Sequence, residues 1–134
     1  MACFLTLRHS LTVQVLGPSA TVNGELVCVH QRKVMAYNKD LNTWTQLGHI
    51  NGGDVYSRPY SRFGFLCEGI GSSLYVIGGT REYMQHRRYC TPLNTVEICD
   101  LDGTKQQASQ IRWKLGADMG HCRGTMSAST VLSL

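Results

Sequence analysis

The sequence predicts an all-β fold of short antiparallel strands, and three observations carry that prediction. Helical periodicity is nowhere sustained over the 134 residues, whereas short runs rich in Val, Ile, Leu, Thr and aromatics recur between clusters of Gly, Asn, Asp and Ser. The composition, 43% hydrophobic and 16% charged with 14 glycines, is that of a folding chain and excludes a disordered tail, a coiled coil and a collagen. Most of the runs have the roughly four to eight residues of sandwich or propeller strands.

In order, the runs are Leu11 to Leu16, Leu26 to His30, Lys33 to Tyr37, Thr43 to Leu47, Arg62 to Leu66, Leu74 to Ile77, Thr95 to Cys99, Ile111 to Leu115 and Thr125 to Leu132. Residues 1–10 read as an N-terminal extension. Met1 to Leu7 are apolar, but Arg8 and His9 cut that run short of a signal-peptide core. No stretch approaches the roughly 20 apolar residues of a membrane span, so a cytoplasmic or nuclear chain is expected rather than a secreted one.

The six cysteines, Cys3, Cys28, Cys67, Cys90, Cys99 and Cys122, lie far apart with no CxxC pair. Several fall inside apolar runs, where a reduced thiol acts as a small hydrophobe. The nearest metal candidate, His86 with Cys90 and the pair His121-Cys122, lacks the paired spacing of a zinc site. No metal or other cofactor is expected.

The chain repeats itself. The stretch Asn23 to Gln31 lines up with Gly71 to Gly79, each a turn followed by an apolar strand (Leu26-Val27-Cys28-Val29; Leu74-Tyr75-Val76-Ile77). A second apolar run follows in each copy, Val34 to Tyr37 and Val96 to Cys99, then a polar turn and a tryptophan strand beginning at Trp44 or Trp113. From Leu26 to Leu74 the period is 48 residues, close to the roughly 50 of a kelch repeat.

The double glycine Gly78-Gly79 closing a Leu-Tyr-Val-Ile strand, and Tyr37 ahead of Trp44, resemble the kelch motif; within that family the chain is most similar to the kelch part of plant F-box/kelch proteins. No F-box segment is seen. Each copy keeps half of the signature: His30 and Gln31 replace the first double glycine, and Cys99 replaces the second tyrosine. The resemblance implies a β-propeller of four-stranded antiparallel blades. Residues 11–48 would form a degenerate blade, 49–118 a second blade with long loops, and 119–134 the first strand of a third. In the second copy, strands a to d fall on Arg62 to Ile70, Leu74 to Ile77, Thr95 to Cys99 and Ile111 to Leu115. About two to three blades result, fewer than the four to eight that close a ring, so an open partial propeller is expected. Tyr37, Trp44, Gly78, Gly79 and Trp113 are its structural residues, the tryptophans packing between blades.

In such a meander the connection between strands b and c and the one leading from strand d to the next blade emerge at the same end. Here those are the long segments Thr80 to Asn94 and Gly48 to Ser61, read as loops. With Arg62 they hold five arginines against Asp54 and Glu82, and four of the six tyrosines, out of a formal net charge of +4. Arg/Tyr-rich surfaces are typical interface hot spots. Tyr56, Arg58, Tyr60, Arg81, Tyr83, Arg87 and Arg88 are therefore the expected partner-binding residues, for a protein or an acidic or phosphorylated peptide.

The resemblance implies substrate recognition for an SCF-type ubiquitin ligase, not an enzyme. An enzyme would show a GxSxG, HExxH, phosphate-loop or dinucleotide motif, none of which occurs. A metal-dependent kelch enzyme would have only the scattered His30, His49, His86 and His121 as imidazole ligands. Nucleic-acid binding through the basic, aromatic loops is the other alternative, at a mild pI of about 8.8.

Overall fold

A computed structural model describes residues 2–7, 11–30, 32–50, 60–85, 87–102 and 111–121. The fold is all-β and antiparallel. Its strands are β1 (Ala2–Leu7), β2 (Leu11–Leu16), β3 (Ser19–Val22), β4 (Glu25–His30), β5 (Lys33–Asn38), β6 (Thr43–His49), β7 (Tyr60–Phe63), β8 (Leu66–Ile70), β9 (Ser73–Ile77), β10 (Thr80–Gln85), β11 (Arg87–Pro92), β12 (Val96–Asp100) and β13 (Trp113–Leu115).

Two four-stranded sheets form the body: β3-β4-β5-β6, and β8-β9-β12-β13 with β10 and β11 inserted between its middle strands. The copies read in the sequence fall on equivalent strands, β4 with β9, β5 with β12 and β6 with β13. One further detail repeats: the chain leaving the outer strand bonds back to the connection between the middle strands, Ile50 N–H to Arg32 O at 2.7 Å and Met119 N–H to Asn94 O at 2.9 Å.

Alternation decides which residues face inward. In β8, β9 and β12 the buried positions are Cys67, Leu74, Val76, Glu97 and Cys99, while Glu68, Tyr75, Ile77, Val96 and Ile98 are less buried. Of the buried positions, Cys67, Leu74, Val76 and Cys99 cluster with Val22, Val27, Val29 and Val34 of the first sheet, and Ile50, Phe65 and Leu101 complete the core. Each fully buried Val or Leu stabilises the fold by about 1.5–3 kcal/mol relative to exposure. Strand β3 lies against β8. There the backbones approach so closely that a Cβ on Gly69 would overlap Thr21 O. The tight turns Asn23-Gly24 and Gly71-Ser72 also touch, Asn23 N–H donating to Gly71 O at 3.1 Å.

The tryptophans separate. Trp113 packs against the core and its indole N–H donates to His49 O at 2.9 Å, tying β13 to the end of β6. Trp44 instead pairs with Tyr37 within one sheet, ring centroids 5.2 Å apart, and the Tyr37 hydroxyl donates to Asn42 Oδ1 at 3.0 Å. Trp113→Phe keeps the ring packing and loses the hydrogen bond. The expected loss is about 0.5–1.5 kcal/mol by urea unfolding.

Two readings from sequence are corrected. Strand a of the second copy, Arg62 to Ile70, is broken at Gly64 (φ 65°) and Phe65 into β7 and β8, which enter different sheets. The segment Thr80 to Asn94 is a hairpin rather than a loop, because Thr80, Tyr83, Tyr89 and Thr91 suit strand backbone. Ser19–Val22, outside the runs read from the sequence, is also a strand. Residues 2–7, within the N-terminal extension, form a strand that pairs along its whole length with 11–16 in a separate two-stranded sheet.

Candidate interaction face

The two long connections do meet. Strand β7, from the connection after β6, pairs with β10 of the inserted hairpin, giving a three-stranded sheet β11-β10-β7. The meander geometry anticipated that shared end, but not that the two segments would join as strands.

Register sets the rows of this sheet. Tyr83 is opposite Tyr60 on one side and Tyr89 on the other, so three tyrosines form one cross-strand row. Arg81 lies opposite Arg62 and Thr91; Met84 pairs with Arg88, and Gln85 with Arg87. Successive rows alternate between faces, so Arg81, the tyrosine row and Arg87 share one face and Arg88 belongs to the other. Of the sequence-predicted residues, Tyr60, Arg81, Tyr83, Arg87 and Arg88 are thus brought into one sheet. Tyr56 and Arg58 lie outside the described residues.

The double glycine is where this sheet leaves the body. Gly78 N–H donates to Thr95 O, and Leu93 N–H donates to Gly79 O, both at 2.9 Å. Gly79 has φ 86°, and a Cβ there would stand 2.7 Å from Phe63 O and 2.8 Å from Phe65 N. Only glycine combines that backbone conformation with so close a crossing.

Arg62, which the sequence grouped with the basic loops, belongs to the framework instead. Its side chain is 1% exposed, and Nη1 lies 2.8 Å from Oε2 of Glu97, itself 8% exposed. Its Nε–H donates to Gly78 O at 2.8 Å, and its guanidinium sits 5.7 Å from the Phe65 ring centre. The bonds tie β7 to β12 and to the end of β9, fixing the base of the three-stranded sheet. Burial pushes the Glu97 carboxyl above its ordinary range, against the downward pull of Arg62 and a smaller one of Arg81. Sequence reasoning passed over Glu97. The signal was its parity in Val96-Glu97-Ile98-Cys99, which puts a carboxylate on the same inward face as Cys99.

Cys28, Cys67 and Cys99 are buried free thiols. Burial pushes them to about 11, 12 and 12 respectively. At pH 8 the three are expected to resist an aromatic disulfide reagent until urea unfolds the chain, each reacting in step with unfolding. Among the described residues no three His, Cys, Asp or Glu side chains gather as a metal site, and no helix is long and apolar enough to cross a membrane. In comparisons with known proteins, the chain matches no family model and no curated protein.

Proposed function

We propose that the chain is part of a kelch-type β-propeller and works as a protein-interaction module, its β7–β10–β11 sheet recognising an acidic or phosphorylated peptide. The observation carrying this reading is the Tyr60–Tyr83–Tyr89 row with Arg81, Arg87 and Arg88 in neighbouring rows. Arginine forks match carboxylate and phosphate geometry, and tyrosine supplies contact area at low entropic cost. The two consecutive four-stranded antiparallel meanders support the propeller part. In that setting the role is target selection for an SCF-type ubiquitin ligase, whose F-box would be supplied elsewhere.

Fluorescence anisotropy with acidic and phosphorylated peptides tests this. The double variant Arg87→Ala/Arg88→Ala is expected to weaken binding by roughly tenfold or more, since each lost charge-assisted bond is worth about 1.5–3 kcal/mol. Raising the salt concentration should weaken the wild-type complex. Unchanged affinity in the double variant overturns the assignment; tight binding of single-stranded DNA with no peptide preference favours a nucleic-acid module instead.

A further inference from the structure

We infer that the peptide adds to the outer edge of β11 as a further strand, an inference that rests on the interaction role proposed for this sheet. Among the described residues, six-residue β11 is the boundary strand of the sheet order β11-β10-β7, hydrogen-bonded to β10 on one side. The phase of the ladder says which backbone groups are committed. Leu93 N–H donates to Gly79 O, and the register pairs Thr80 with Pro92, Arg81 with Thr91 and Tyr83 with Tyr89. Hydrogen-bonded pairs alternate with non-bonded ones along an antiparallel ladder. Thr91, Tyr89 and Arg87 therefore turn their backbone groups toward β10, whereas Arg88, Cys90 and Pro92 turn theirs outward. The outer edge thus offers the N–H of Arg88 and Cys90 and the carbonyls of all three. Pro92 has no N–H and marks where an added strand would stop donating to the ladder.

Charge selects the occupant. Strands β10 and β11 carry Arg81, Arg87 and Arg88 against the single acid Glu82. Arginine and proline on an edge strand discourage pairing with a second copy of this basic chain. The same charges favour an extended acidic strand, whose alternate side chains flank the Arg88 row and the Arg87–Tyr89 rows. Backbone bonds would give such a complex its affinity and the arginines its preference.

The test uses the full chain and a labelled peptide of alternating Glu and Thr, with two further versions N-methylated at every Glu or at every Thr. Strand addition needs only one alternate set of peptide N–H groups, so one methylated version is expected to lose about tenfold or more in affinity while the other keeps it. If the two methylated versions bind equally, the ladder is not used and the inference fails, while the interaction role stands on the binding of the parent. If the parent does not bind, both this inference and the acidic-peptide reading fail.

Discussion

Glu97→Ala is expected to lower the unfolding free energy by about 3–5 kcal/mol, the cost of leaving a buried charge without its partner. The uncompensated charge would be Arg62, whose side chain is 1% exposed. Water cannot reach it without opening the base of the β7–β10–β11 sheet. Arg62→Met alone should cost a similar amount by stranding Glu97. The double variant Arg62→Met/Glu97→Leu removes both charges, whose desolvation largely offsets their attraction, and is expected to retain a loss of only about 1–3 kcal/mol because the buried Gly78 O loses its Arg62 Nε–H donor. Urea unfolding of the four proteins checks this, and additive losses in the double variant would contradict it.

The pH dependence follows with a definite sign. Burial raises the Glu97 pKa above its unfolded value of 4.5. In the interval between the unfolded and folded values the native state holds more of the proton than the unfolded chain does. This contribution is complete below 4.5 and is lost as the pH rises through the folded value. The stability of the wild type minus that of Glu97→Gln, which cannot titrate there, should therefore decrease across that interval.

Gly69→Ala is the second large effect, with an expected loss of about 1–3 kcal/mol, the usual range for overpacking a filled interior. The alanine methyl would meet Thr21 O, a backbone atom at the contact of β3 with β8. No rotamer relieves that clash, so the two sheets must move apart and the core between them loosens. Gly71→Ala is the control: it sits in the neighbouring turn, where an added Cβ meets nothing within 4 Å, and it bears only the strain of φ 58°. Thermal unfolding should rank Gly69→Ala well below Gly71→Ala.

Strand class and repeat were legible because they depend on local pattern. The turn dipeptides, the apolar runs and the alternation of Leu74 to Ile77 each act over a few residues, and β4, β5, β6 and β9 fall where those patterns lie. What the pattern could not give was set by contacts between distant segments. Ser19–Val22 has weak strand composition and is held as a strand by pairing with β4 and packing on β8. The hairpin β10–β11 reads as a polar loop, since its alternation mixes Arg, Tyr and Glu rather than apolar with polar, and its third strand comes from a separate segment. Arg62 is indistinguishable in sequence from Arg81, and only the inward parity of Glu97 makes it a framework residue.

The proposed recognition face depends on the pairing of β7 with β10 and β11, and hydrogen exchange measures that pairing most directly. With β10 between two partners from Thr80 to Tyr83, the amides of residues 80–83 and of Gln85 are expected to exchange much more slowly than those of an unstructured peptide, joined by the β10-facing amides of Arg87, Tyr89 and Thr91. The outward-facing amides of Arg88 and Cys90 should exchange faster than those three. Exchange at unstructured rates throughout 80–92 would show two solvated loops and contradict the face.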